Sequence, residues 1–320
     1  MTGDGESVLI DTLTDLHLTQ RMLDGLAEVT RDAPIRTLVN THSDIDHVAG
    51  NELVGDAEIV STRRAAELIR GQDPGSLKGF SRLARGMRLV GRLPVPVVGS
   101  LPLPKVPRVR LGAIGAYIGD MLAPFDFDGI DIPPPTREFE GELTLEVGGR
   151  RMRLIEVGPA HTPGDAIVHV PDARVVYTGD IVFAGATPVM WAGPVINWID
   201  AIDRLLALDA DAYVPGHGPV CGRERLEAVK HYWIWLEASA RHRFGLGMSA
   251  WEAARDIALS QEFLAHEWSG WSAPERIVVN LHTLERERHG QLGGEASARD
   301  LITLFSRVAL LADELETSPT

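Results

Sequence analysis

Apolar and polar residues alternate with two different periods along the first 220 positions of the chain. Short β-branched runs at residues 7–12 and 35–40 predict strands, and Glu58-Ile59-Val60 predicts another. Residues 19–31 place their apolar positions on one helical face, and residues 63–70 predict a further helix. Strands that alternate with helices favour an α/β fold of the αββα type, in which two packed mixed β-sheets are flanked by helices.

Residues 71–136 differ from the segments around them because prolines and glycines interrupt an apolar sequence. A linker would be more polar. We interpret this segment as an insertion, which either covers the active site as a lid for an apolar substrate or covers a sheet edge. Residues 142–147 and 151–157, separated by Gly148-Gly149, predict a β-hairpin that returns the chain to the core.

Beyond residue 222 the pattern becomes helical. Helices are predicted at residues 223–243, 249–260, 274–288 and 297–315. Ser249, followed three residues later by Glu252, predicts a capping box. Most of the tryptophans concentrated in this region are expected to pack in the core. Some are expected to line a pocket or a dimer interface. The domain prediction is a first domain over residues 1–222, including the insertion, and a helical extension over 223–320 packed on it.

Metal-binding residue types cluster between the second strand and the next helix, which is expected over residues 48–54. His42, Asp44, Asp46 and His47 lie within six positions. Burying two carboxylates and two imidazoles without partners is costly, so either this segment is a solvated loop or a cation lies in it.

Three later segments favour a cation. His161, Asp180 and His217 each follow an apolar, β-branched run, and glycine or proline flanks each of them. Strand ends of this kind deliver side chains to one edge of a sheet, where α/β folds place their sites. Any one of these residues alone is more often an ordinary surface or core residue. His169, by contrast, lies in an alternating run that predicts its side chain outside the core.

The motifs HxDxDH, PAHTPGD, YTGD and PGHG, in this order over residues 7–220, resemble those of the metallo-β-lactamase fold superfamily. The resemblance implies that residues 1–222 form a metallo-β-lactamase-like domain with two metal ions. It implies that Asp11, after the first strand, is structural. The implied ligands are His42, Asp44 and His161 for the first metal, Asp46, His47 and His217 for the second, and Asp180 as the bridge.

Asp44 departs from the commonest form of the motif, HxHxDH, in which histidine holds its place. As a ligand it would make the first site harder and shift its preference from zinc toward iron or manganese. If the Asp44 side chain points away from the first site, only the second site would hold a metal. Asp44 could then still act as a base or orient a ligand. We expect one or two divalent ions, with zinc first and iron or manganese as alternatives.

Composition excludes several functions. The net charge is −14 with no basic cluster, which argues against nucleic acid. A single cysteine, Cys221, fits a reducing compartment, and no apolar run is long enough to span a membrane. The acidic leader before Val8 is unlike a secretory signal. We expect a cytoplasmic protein with a small-molecule substrate and a possible homodimer.

The leading hypothesis is a metallo-hydrolase in which a metal-bound hydroxide, oriented by Asp46, attacks an ester, thioester or lactone of a bulky apolar or aromatic acyl substrate. The apolar insertion and the tryptophans favour such a substrate. The overall pattern of motifs resembles that of polyketide-type thioesterases and cyclase-like enzymes of the same superfamily. Met190, Trp191 and Trp198 are predicted to bind it. The alternatives are a non-heme iron enzyme using O₂ on the same fold and a binding protein with a decayed site.

Overall fold

The structure is a computed structural model that describes residues 1–91, 108–293 and 298–317. The prolines of the insertion between residues 92 and 107 lie outside the described residues. Within the described ranges, no helix is both long enough and apolar enough to cross a membrane.

The first half of the chain supplies one sheet and the insertion. Its elements are β1 (Ser7–Ile10), α1 (Leu16–Thr30), β2 (Ile35–Val39), α2 (Ile45–Val48), β3 (Glu58–Thr62), α3 (Arg63–Arg70), α4 (Pro74–Gly91), α5 (Arg108–Leu122) and β4 (Arg137–Phe139).

The second half supplies the other sheet and most of the helices that cover it. Its elements are β5 (Glu142–Val147), β6 (Arg150–Glu156), β7 (Ala166–Val170), β8 (Val175–Phe183), α6 (Val195–Ala207), β9 (Ala212–His217), α7 (Arg223–Gly245), α8 (Ala250–Ala258), α9 (Gln261–Leu264), α10 (Ile277–Arg288) and α11 (Ala298–Thr317).

Two sheets pack face to face with helices outside them, so the predicted αββα sandwich is confirmed. The first sheet is parallel in the order β1-β2-β3-β4. The second has the order β5-β6-β7-β8-β9, antiparallel except between β8 and β9. The apolar interface between the sheets includes Val8, Val39 and Val60 from the first and Met152, Leu154 and Val168 from the second. Burial of each such side chain contributes roughly 1.5–3 kcal/mol to the free energy of folding.

The outer face of each sheet is covered by helices, for which the periodicity of the sequence provides the apolar stripes. Helix α1 packs Met22, Leu23 and Leu26 on Leu38 of the first sheet. On the second sheet, α6, α7, α8 and α10 bury a larger cluster that includes Trp198. Because β7 is covered on both faces, every one of its residues is buried. The prediction that His169 lies outside the core was therefore wrong.

The insertion contains two long helices, which the proline pattern did not predict. Helices α4 and α5 pack on each other and α5 packs on α11. Ile114, Ile118 and Leu122 of α5 are buried together with Ala309 of α11. The Tyr117 hydroxyl donates a 2.7 Å hydrogen bond to the buried carboxylate of Glu275. The insertion is thus attached to the C-terminal helices.

The predicted capping box at the start of α8 is confirmed. The Ser249 side chain accepts from the Glu252 backbone N–H, and the Glu252 carboxylate accepts from the Ser249 backbone N–H. Two backbone N–H groups that would otherwise lack partners are satisfied in this way.

We expect Ser249→Ala to lower the free energy of unfolding by about 1 kcal/mol, because the cap is lost while the packing is retained. Chemical denaturation measures the change. Ser306→Ala is the matched control, since the Ser306 hydroxyl donates only to Ile302 O within its own helix and its loss should have little effect. Equal stability changes in the two variants would contradict the role of the cap.

Candidate metal centre

The strand arrangement brings the predicted ligands to one edge of the sandwich. Asp11 and His42 follow the carboxyl ends of the neighbouring parallel strands β1 and β2. His161 lies in the loop after β6, and His217 is the last residue of β9. Asp180 lies inside β8, where the pairing with β9 is irregular around Gly179. That irregularity allows a strand residue to point into the site.

The first cluster that could hold a metal consists of His42, His161 and Asp180. Asp180 Oδ2 is 3.3 Å from His161 Nε2 and 3.9 Å from His42 Nε2. The two imidazole rings meet nearly edge to face, with centroids 5.0 Å apart. All three residues are buried.

The second cluster consists of Asp46, His47 and His217. Asp46 Oδ2 is 3.2 Å from His217 Nε2 and 3.7 Å from His47 Nε2. Asp180 also reaches this cluster, with Oδ1 at 3.2 Å from His47 Nε2 and Oδ2 at 3.2 Å from His217 Nε2. A single carboxylate therefore faces both clusters.

The chemistry of these atoms fits a bound cation. His42 Nε2, His47 Nε2 and Asp180 Oδ1 are buried and make no hydrogen bond within the part of the chain that the structure describes. Buried polar atoms almost always have partners. Imidazole nitrogen and carboxylate oxygen are suitable ligands for zinc, iron and manganese. The two clusters are thus able to hold divalent metal ions, as the superfamily resemblance implies.

Asp44 lies beside the first cluster at the N-terminus of α2, which begins inside the motif at Ile45 and not at residue 48 as expected. Its Oδ2 is 3.1 Å from His161 Nε2, the nitrogen that also faces Asp180. About a third of its side chain is exposed. Asp44 has not turned away from the site.

Hydrogen bonds to the other ring nitrogens aim the imidazoles. Asp11 Oδ2 lies 3.0 Å from His47 Nδ1. The Thr41 hydroxyl donates to Asp11 Oδ2 at 2.7 Å and lies 2.9 Å from His42 Nδ1. Val189 O lies 2.5 Å from His161 Nδ1. A proton on each Nδ1 satisfies all these contacts and leaves each Nε2 free to bind a metal.

Two further features of the sequence were missed as supports of the site. The Asp165 carboxylate accepts from the backbone N–H groups of Ala160 and Thr162 and from the Thr162 hydroxyl at 2.6 Å, which shapes the turn that carries His161. Thr41 directly precedes the HxDxDH motif, and its hydroxyl joins Asp11 to His42. Hydrogen-bonding residues adjacent to metal ligands are the signal that could have identified both.

Aromatic rings from the core pack against two of the imidazoles. The Phe183 ring stacks on His217 with centroids 4.9 Å apart. Trp198 meets the His161 ring edge to face at 5.9 Å, and its indole N–H donates to Ile181 O. These rings fix the imidazoles and keep water from that side of the site.

Two glycines are required by close approaches. A Cβ added to Gly216 would lie 1.9 Å from Asp180 Oδ1. At Gly179 the backbone has a φ of +49°, and an added Cβ would lie 2.8 Å from Thr41 Oγ1. Gly216 of the PGHG motif thus keeps room for the carboxylate that faces both clusters, and Gly179 of the YTGD motif keeps room for the Thr41 hydroxyl.

The charges of the site shift its pKa values in opposite directions. Burial favours the neutral imidazole, but Asp180 and Asp44 outweigh it and raise the pKa of His161 to about 10. Burial lowers the pKa of His217, but hydrogen bonds that its ring donates to the Asp180 and Asp46 carboxylates outweigh burial and raise it to about 9. Burial opposes ionisation of Asp180, yet the neighbouring imidazoles hold its pKa well below the usual range. Protons on these imidazoles occupy the position that a metal would take.

Two cavities border the carboxylate of Asp46. One, of about 330 Å³, is lined by Asp44, Ile45, Asp46, Gln72, Asp73, Ser76, Trp191 and Leu301. The other, of about 270 Å³, lies on the side of His47 and His217 and includes Met22 and Tyr177. The start of the insertion therefore borders the site, in keeping with the lid interpretation.

Of the three residues predicted to bind substrate, one lines a cavity and two lie in the core. Trp191 lines the 330 Å³ cavity and is partly exposed. Met190 and Trp198 are completely buried, so in this structure they offer no surface to a substrate. Trp198 lies on the inner face of α6 because it packs on Trp233, with ring centroids 4.6 Å apart. Proximity in sequence to Asp180 could not reveal this.

The family model described as the metallo-beta-lactamase superfamily matches residues 1–217. The chain is 37% identical over 113 residues to the 2,4-dinitroanisole O-demethylase subunit alpha of Nocardioides sp., a match that covers 33% of each chain. It is 25% identical over 240 residues to the linear primary-alkylsulfatase of Pseudomonas sp., covering 69% of this chain and 41% of that protein. The chain therefore spans less than half the length of these two relatives.

Among solved structures, a sec-alkylsulfatase from Pseudomonas sp. superposes with a TM-score of 0.62 at 19% identity. The superposition covers 92% of this chain and 48% of that one. A likeness at this level of identity shows the fold. Together with the family model, it confirms the superfamily resemblance expected from the four motifs.

We expect Gly216→Ala to reduce the metal content of the purified protein several-fold, because the added methyl group displaces the Asp180 carboxylate. Elemental analysis measures the metal per chain. Gly25→Ala is the matched control, since an added Cβ at Gly25, in helix α1, meets no atom within 4 Å. Full metal content in Gly216→Ala would contradict the placement of Asp180.

We also expect metal binding to release protons. Below their pKa values of about 10 and about 9, His161 and His217 carry protons in the metal-free protein, and a metal displaces them. Apparent Zn²⁺ affinity should therefore rise between pH 7 and pH 9. Burial lowers the pKa of His47, but Asp180 and Asp11 outweigh burial and hold that pKa well above its usual range, which adds a third proton. Calorimetric titration in buffers of different ionisation enthalpy counts the protons, expected at about three per chain at pH 7.5. Zinc binding without proton release would contradict this arrangement.

Proposed function

The chain belongs to the metallo-β-lactamase superfamily, and from that premise we propose that it is a metal-dependent hydrolase. The proposed substrate is an ester, thioester or lactone with a bulky apolar or aromatic acyl group. One observation carries the proposal: four imidazoles and three carboxylates converge beside two cavities, and three of their buried polar atoms have no hydrogen bond to any of the described residues.

The proposed ligands are those that the motifs implied. Asp180 would bridge two ions, since its two oxygens face His161, His42, His217 and His47 at 3.2–3.9 Å. The first ion would also be held by Asp44 and the second by Asp46. When bound, such ions supply Lewis acidity and lower the pKa of a water molecule to about 7.

Asp46 is the residue we propose as catalytic. Its carboxylate is partly exposed and borders both cavities. Burial would raise its pKa, but hydrogen bonding with His217 and the charge of His47 hold that pKa well below the usual range. An ionised carboxylate at this position accepts a hydrogen bond from the attacking water and so orients it.

Asp44 sets the charge of the first proposed metal position. With Asp44 and Asp180, the first position has two carboxylates and two imidazoles. This adds a negative charge relative to a histidine at residue 44 and favours a harder ion, such as iron or manganese, over zinc. The second position, with Asp46 and Asp180 beside two imidazoles, would have the same set of ligand atoms, so the same preference applies to both positions.

The names of the relatives suggest a second candidate reaction. An alkylsulfatase matches in sequence over 69% of the chain, and another matches in structure over 92%. Water would cleave such a sulfate ester to an alcohol and sulfate, and ions held by the same residues would supply Lewis acidity for this reaction as well. An O₂-dependent iron enzyme is a third candidate, favoured by the position of Asp44 against His161.

We expect the protein loaded with zinc, iron or manganese to hydrolyse p-nitrophenyl decanoate, and Asp46→Asn to lower kcat/KM by about 100-fold or more. Asp24→Asn, on the exposed surface of α1, is the matched control and should keep wild-type activity. Turnover that is undiminished without O₂ supports hydrolysis.

Other outcomes separate the candidates. Cleavage of dodecyl sulfate without cleavage of carboxylic esters or thioesters assigns the sulfate-ester reaction. Consumption of O₂ during turnover, with activity lost under anaerobic conditions, excludes the hydrolase. Asp46→Asn with unchanged kcat/KM would contradict the role proposed for Asp46.

A further inference from the structure

A larger cavity of about 680 Å³ lies behind the loop that carries Trp191. It is enclosed by α3, α10, α11 and the loops at Pro159–Pro163 and Trp191–Pro194. We call it the apolar chamber. Its apolar walls include Leu68, Pro159, Trp191, Val279, Leu301 and Leu304.

The apolar chamber adjoins the cavity that contains Asp44 and Asp46. Trp191 and Leu301 line both spaces. The backbone N–H of Trp191 donates to His161 O at 2.9 Å, so the shared wall is held directly against a proposed metal ligand. Trp191 and Leu301 therefore stand between the two spaces, and a molecule reacting beside Asp46 would have to pass them to reach the chamber.

The chamber also has polar and charged groups among its apolar walls. Its polar groups lie along α3, α10 and α11, at Arg64, His282, Thr283, Arg286 and Asp300. Burial and the charge of Arg286 lower the pKa of His282, which is thus neutral at pH 7. Arg64 pairs with Glu67 at 2.8 Å and is mostly exposed.

We propose that the apolar chamber binds the uncharged alkyl or aryl body of the substrate, on the order of ten carbon atoms, while its reactive bond lies beside Asp46. The proposal rests on the proposed function and extends it to a substrate class. A volume of about 680 Å³ lies within the range of ligand cavities, which bury most of the ligand that they hold.

Binding of n-alkanols to the zinc-loaded protein tests the chamber without requiring turnover. Calorimetric titration with the series from 1-butanol to 1-decanol should show affinity rising about threefold to fourfold for each added methylene, as apolar surface leaves water. Leu68→Trp fills the chamber and Leu301→Trp narrows its connection to the site. Each should weaken decanol binding at least tenfold.

Leu264→Trp is the matched control because Leu264 is exposed and lies outside all three cavities, and it should bind decanol as the wild type does. Leu68 and Leu301 are each 38% exposed, so a larger side chain can be accommodated without unfolding the protein. Affinity that does not depend on chain length, or wild-type decanol binding in both chamber variants, would overturn the proposal.

The two proposals fail in different ways. If alkanols bind as expected but no ester is hydrolysed, the chamber stands and the proposed function is wrong. If decanoyl esters are hydrolysed while alkanol affinity is independent of chain length, the proposed function stands and the chamber is wrong.

Discussion

The attraction of buried carboxylates and imidazoles to a shared positive charge is the interaction on which this structure depends. Asp180 is almost completely buried and faces four imidazoles. Ionised groups in such a position are stable only when they are paired with opposite charge. In the metal-free protein, protons on His161 and His217 supply part of that charge. Metal ions would supply it more completely, because they can also bind the nitrogen and oxygen atoms that have no hydrogen bond.

Much of the surrounding structure serves to hold those atoms in place. Asp11 and Thr41 fix the rings of His42 and His47, and Asp165 shapes the turn at His161. Gly216 leaves the space that the Asp180 carboxylate occupies. The aromatic core behind the site adds rigidity, with Phe183 stacked on His217. Substitution of any of these supports should therefore affect metal affinity before it affects the fold.

The sequence predicted the parts of the molecule that depend on local patterns. His161 and His217 could be recognised because apolar, β-branched runs flanked by glycine or proline lead to them. Asp180 fits the same pattern, although it lies inside β8 and not after its end. Convergence at one edge followed from parallel strand packing. Burial on both faces of β7 could not be predicted, because it depends on helices distant in sequence, so His169 was misplaced. For the same reason Trp198 was interpreted as facing substrate, although its helix turns it into the core. In the insertion, the proline pattern concealed two long helices.

The most direct test of the account is anomalous diffraction from crystals of the metal-loaded protein, recorded at the absorption edges of zinc, iron and manganese. The account predicts a peak about 2.0–2.3 Å from the nearest atoms of His42, His161 and Asp180, and another at the same distance from Asp46, His47 and His217. Metal peaks found only elsewhere, or no peak at either cluster in crystals soaked with excess metal, would contradict it.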